Sequence, residues 1–159
     1  MRIRLWTMPL AAIAAVAALA IVSGSASATP PSGTTTQLVA RATFTSGYKV
    51  NVDGIKVNIK GPVDVAVVHV TFQPGGTLGW HSHPGATFVM VTSGTVTRVN
   101  ADGCTSENVS AGQGFFEDPN AVHVAENKTA EPAETYVTFI VPAGAPLRID
   151  EPAPPDCTP

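Results

Sequence analysis

A chain of 159 residues with 9 Lys and Arg against 12 Asp and Glu carries a formal net charge of −3, which excludes the basic surface that nucleic acid or an anionic lipid face requires. Only 13% of the residues are charged, and 14 Gly and 14 Pro cut the chain into short runs, so an all-β sandwich or barrel is favoured over a helical architecture. The length suffices for one domain with a modest core.

The amino terminus reads as an export signal. Arg2 and Arg4 precede an apolar run from Pro9 to Val22, and Ala26-Ser27-Ala28 supplies a small-residue cleavage site, so residues 1–28 are expected to be removed and the protein secreted. The run is shorter than the roughly 20 apolar residues of a spanning helix. No cysteine follows it for lipid attachment, so no stable membrane association is expected after cleavage. Loss of Arg2 and Arg4 would leave seven basic residues against twelve acidic ones. Residues 29–36, rich in Pro, Ser, Gly and Thr, read as a flexible linker.

Alternating runs bounded by turn residues then predict strands at 37–43, 48–51, 55–59, 63–72, 87–91, 95–100, 105–109, 114–117, 123–127 and 135–141. Asp53-Gly54 and Ser93-Gly94 are hairpin signals. In the run 63–72, Ala66, Val68, Val70 and Phe72 share an apolar face, which puts His69 on the opposite, mixed face, toward a polar pocket or solvent, where a hydrogen-bond partner rather than a metal is expected for it. In the run 87–91, Thr87, Val89 and Val91 share one parity. Phe115, Phe116, Tyr136 and Phe139 read as core, Trp80 and Val89 as pocket residues, and Glu117 and Glu126 as carboxylates at positions open to solvent. The domain is expected to span 37–147, followed by a tail 148–159 with four prolines that cannot join a sheet by ladder hydrogen bonds. Cys104 and Cys157 lack a neighbouring base or a Cys-x-x-Cys partner, and in an exported protein they most simply form one disulfide that pins this tail.

Three of the four histidines stand out. His81 and His83 follow the glycine-rich stretch Gly75-Gly76-Thr77-Leu78-Gly79-Trp80, and residues two apart on a strand point to the same side. His123 enters a strand forty residues on, after Asp118-Pro119-Asn120. Convergence of all three would make a site for a divalent ion such as Fe, Mn, Zn or Cu, with positions left for water or substrate.

On these residues the chain resembles the cupin superfamily. Gly75, His81, His83 and Gly94 match the family's first motif, and Gly112, His123 and Asn127 its second. Thr87 stands where the first motif carries a ligating Glu, and Asp118 and Asn120 stand where the second carries Pro and Gly. The string Gly-Trp-His-Ser-His-Pro-Gly is also similar to that of small secreted bacterial cupins. The resemblance implies a single antiparallel β-barrel of the double-stranded β-helix or jelly-roll type, a metal on His81, His83 and His123, and a possible homodimer through strand edges. All-histidine sites occur in thiol and diketone dioxygenases of this superfamily, and Thr87 would then orient a water or a substrate oxygen.

Two classes of function fit these residues. One is a metal-dependent enzyme acting on a small molecule, by dioxygenase-like chemistry or by Lewis-acid hydrolysis or isomerisation. The other is a module that binds a metal or small ligand without turnover, which suits an apolar pocket with no evident general base.

Overall fold

The protein is described by a computed structural model covering residues 28–157. The export signal expected over 1–28 lies outside these residues, apart from Ala28. Among the described residues, no helix is long and apolar enough to cross a membrane.

Strands account for nearly all of the regular structure: β1 (Ser32–Phe44), β2 (Tyr48–Val52), β3 (Ile55–Ile59), β4 (Val63–Thr77), β5 (His81–Ser82), β6 (Ala86–Ser93), β7 (Thr95–Asn100), β8 (Ser106–Ser110), β9 (Gly114–Glu117), β10 (His123–Glu126), β11 (Ala133–Pro142) and β12 (Ile149–Asp150). All pairings are antiparallel. On one side β1, β4, β11, β6 and β9 lie in that order. On the other, β12, β5, β10, β7 and β8 follow one another, and the far end of β4 joins the two sides where Thr77 pairs with Glu126. The result is an all-β, nearly closed barrel, with β2 and β3 forming a separate hairpin around Asp53-Gly54.

Strand parity decides what fills it. Ala66, Val68, Val70 and Phe72 of β4 are buried, as their alternation predicts, and meet Val89 and Val91 of β6, Phe115 of β9, and Val137 and Phe139 of β11. Phe116 and Tyr136, expected in the core, face outward instead, because each neighbours an inward residue on its strand; Phe116 is 70% exposed. His69 is likewise outside, stacked on Tyr136 with ring centroids 4.7 Å apart and its Nε2 3.2 Å from Glu134.

Two boundaries differ from the sequence reading. Residues 32–36 belong to β1 rather than to a linker: the β-branched Thr34, Thr35 and Thr36 pair with Phe72, Thr71 and Val70, a context in which strand preference outweighs a linker-like composition. Thr29 is fixed too, its Oγ1 accepting the Trp80 amide at 3.0 Å. At the other end, the expected tail starts with β12, which pairs with His81 and Ser82, and Glu151 donates its amide to the Trp80 carbonyl. Its prolines begin only after these ladder bonds are made. Cys104 and Cys157 form a disulfide across 53 residues.

Asp64 ties β1 to β4 at the barrel's edge. It accepts from Arg41 and Thr43 and from the Gly144 amide at 2.9 Å. The Thr43, Gly144 and Arg41 hydrogen bonds, in that order, lower its carboxyl from 3.8 to about 2 against the opposing effect of burial. A group whose folded-state pKa is depressed stabilises the fold above its unfolded value and loses that contribution as pH falls through the folded one. Urea unfolding should therefore show Asp64→Asn less stable than wild type at pH 7, with the gap closing below about pH 2. A gap that persisted unchanged at pH 2 would refute this assignment.

Candidate metal centre

His81 and His83 enter the barrel interior from β5 and the residue just after it, and His123 opens β10 directly opposite His81. Gly79 makes the preceding turn possible: its φ is +69°, and a Cβ there would overlap the Thr29 carbonyl. The three rings are 1–3% exposed, with centroids 4.4, 4.9 and 5.1 Å apart, and one nitrogen of each lies within 4.8 Å of the others. The sequence reading required this convergence.

Backbone carbonyls fix the tautomers. His81 Nδ1 donates to Gly79 O at 2.7 Å, His83 Nδ1 to Leu147 O at 2.6 Å, and His123 Nδ1 to Ala121 O at 2.9 Å. With each Nδ1 committed as donor, the neutral form of each ring keeps its lone pair on Nε2, the form in which imidazole ligates metals. Burial, with the positive field of Arg148 adding to it, pushes His81 down to about 2 and keeps it neutral.

The fourth member of the cluster is a residue the sequence reading placed in solvent. Glu117 is 7% exposed, and its carboxylate oxygens stand 3.0 Å from His123 Nε2 and 3.2 Å from His83 Nε2. Its strand, β9, pairs with β6 so that Glu117 faces Thr87, the residue at the motif's glutamate position. The carboxylate absent from Thr87 is thus supplied from the adjacent strand. Thr87 itself is buried, with a long 3.4 Å hydrogen bond to Gly85 O. Burial alone would raise Glu117, but the close Nε2 atoms of His123 and His83 outweigh it and hold this carboxyl well below the usual carboxylate range. Parity could have found it: Phe115 and Glu117 share a face of β9, so a core Phe115 implies an inward Glu117.

These four groups fit a bound cation. A carboxylate this close to two Nε2 atoms needs positive charge between them, from a ring proton or a metal ion, and His123 Nε2 is buried without a well-formed hydrogen bond. Two ligands bound at about 2.1 Å and about 90–110° apart lie about 3.0–3.4 Å from each other, which matches both nitrogen–oxygen separations.

A cavity of about 130 Å³ adjoins the cluster. His81, His83 and Glu117 form one end of it, and Val70, Val89, Phe115, Val137, Phe139 and Leu147 supply apolar wall. Val89 lines it as expected. Trp80 does not: one residue from His81, it points to the other side and packs with Val99, Val124 and Cys157 in a second small core beneath the tail.

Fold and site together define a small β-barrel protein with a buried imidazole–carboxylate cluster that could hold a metal ion. Residues 68–148, about half of the chain, match the Cupin domain family, and the chain belongs to it. Among solved structures, an uncharacterised protein with a double-stranded β-helix domain from Klebsiella pneumoniae is 23% identical, over 77% of this chain and 85% of its own, with a TM-score of 0.52. An RmlC-like cupin from Shewanella frigidimarina is 18% identical over 70% and 79%, at 0.49. An oxalate oxidase in complex with the substrate analogue glycolate is 32% identical over 47% of this chain, at 0.43; the match spans 41% of the oxidase's own length. A search of curated proteins finds no match.

Proposed function

We propose that this protein is an exported cupin that holds a divalent ion on His81, His83, His123 and Glu117 and uses it on a small molecule bound in the adjoining cavity. The observation that carries this reading is the meeting of three buried imidazoles and a buried carboxylate at the wall of an apolar chamber. A carboxylate beside three imidazoles offsets one unit of the ion's charge, which suits Mn or Fe as well as Zn, whereas an all-histidine set disfavours harder cations. When bound, such an ion supplies Lewis acidity or a site for oxygen chemistry. The chain's own groups have simpler tasks. The backbone carbonyls hold the rings in place, Glu117 neutralises charge, and the valine and phenylalanine walls exclude water.

A second reading, binding without turnover, has one observation in its favour. Apart from His81, His83 and Glu117, the polar side chains lining the cavity are Thr36, Thr135 and Arg148, none of them a ready general base. Export is supported by the disulfide, a bond that persists in oxidising compartments.

Mass spectrometry of the purified protein should find close to one equivalent of a transition metal, and His83→Ala should lose most of it while still folding. A wild-type protein that takes up no metal, even after dialysis against Mn, Fe or Zn, overturns the proposal. Turnover of small carboxylates, followed by oxygen uptake and product analysis, then separates the enzyme from the binding module.

A further inference from the structure

We infer that the cavity selects a monocarboxylate with a compact apolar body, and that Arg148 is the residue that recognises the carboxylate. This deepens the proposed function and rests on the same chamber. Arg148 follows Leu147, whose carbonyl holds His83, and lines the same cavity as His81 and Glu117. Its Nε donates to the exposed Asp150 at 2.6 Å, while its Nη2 is buried and has no hydrogen-bond partner among the described residues. A buried guanidinium donor left unpaired is costly, so an acceptor is expected to complete it. Carboxylate is the acceptor whose planar geometry and charge match a guanidinium.

Charge and shape narrow the ligand further. A divalent ion offset by Glu117 alone leaves a unit positive charge at the cluster, and Arg148 adds another at the same end of the chamber. An anion is therefore favoured there. The rest of the wall is valine, phenylalanine, leucine and alanine, with the hydroxyls of Thr36 and Thr135 as its only other polar side chains and no second cation to match a second charged group. At about 130 Å³ the space is close to that of an engineered apolar cavity that takes benzene. The ligand class is thus one carboxylate on an apolar body of about six heavy atoms, not a dicarboxylate.

Calorimetric titration of the purified protein with benzoate, its neutral isostere benzamide, and succinate tests this, with metal content measured on the same samples. Benzoate should bind at least tenfold more tightly than either competitor. Arg148→Gln should abolish that preference with metal content unchanged, Arg148→Lys should keep part of it, and Asp150→Asn should keep all of it, because the ion pair with Asp150 is not what recognises the ligand. Equal affinity for benzoate and benzamide, undiminished preference in Arg148→Gln, or no saturable binding of benzoate each overturns the inference. Should Arg148→Gln fail to fold, Arg148→Lys decides it, since an undiminished preference in that variant would equally overturn the role of Arg148. Metal without benzoate selectivity defeats this inference alone, whereas Arg148-dependent benzoate binding by a protein that takes up no metal defeats the proposed function alone.

Discussion

Glu117→Gln should weaken divalent metal binding by well over an order of magnitude while leaving the barrel folded. Loss of a residue that merely orients a ligand costs about 10–100-fold in affinity, and Glu117 contacts two of the three imidazoles directly, so about a hundredfold is the floor. The substitution keeps the side chain's shape and removes its charge. The predicted loss therefore reports on the carboxylate rather than on packing. A companion variant sharpens the test. Thr87 and Glu117 face one another across β6 and β9, at a distance where opposed side chains meet. Exchanging the two, Thr87→Glu with Glu117→Thr, returns the carboxylate to the motif's usual strand and should recover much of the affinity that Glu117→Thr alone loses. Competition against a chromophoric chelator measures all four proteins. Unchanged affinity in Glu117→Gln would mean that the carboxylate is a structural partner of the histidines and that the ion, if bound, sits on imidazoles only.

The location of this carboxylate marks the limit of what motif spacing reveals. His81, His83 and His123 were legible because strand parity and motif register place them directly, and the same holds for the inward Thr87, Val89 and Val91. Both devices treat each strand separately. Parity with a core Phe115 turns Glu117 inward, but its place opposite Thr87 comes from a cross-strand pairing that no single run of residues encodes, and the Asp118-Pro119 after it makes the local sequence resemble a solvated turn. Trp80 shows the opposite error. Adjacency to His81 suggested a shared pocket, yet neighbours on an extended chain face opposite ways.

The ends of the domain were harder to read for a related reason. Composition described residues 29–36 as a linker and 148–159 as a tail, but composition does not register a partner. Thr34–Thr36 gain one in β4, and Ile149-Asp150 gain one in β5, a strand of two residues too short to leave a periodic signature. These two edges matter to the site, since they hold the segment carrying His81 from both sides.

Opening the Cys104–Cys157 disulfide should consequently affect more than stability. Closing a loop across 53 residues stabilises the fold by about 4 kcal/mol in the chain-entropy description, enough to lower the thermal midpoint by roughly 10–20 °C in a domain of this size. Cys157 also packs on Trp80, Val99 and Val124, so releasing it uncovers that second core. Trp80→Ala, removing the largest side chain of that core, should cost about 3–5 kcal/mol on its own. Beyond the bridge lies a mechanical link to the metal centre. The released segment carries β12, which pairs with His81, and it continues the chain from Leu147, whose carbonyl orients His83. Reduction, or the Cys104→Ala, Cys157→Ala pair, should therefore lower metal affinity as well as the unfolding temperature, although neither cysteine is near a ligand in sequence. A calorimetric scan with and without reductant, on metal-loaded and metal-stripped protein, reads both effects. If the midpoint falls and metal affinity does not, the tail is a clamp on the fold only, and the positioning of His81 and His83 comes entirely from the barrel.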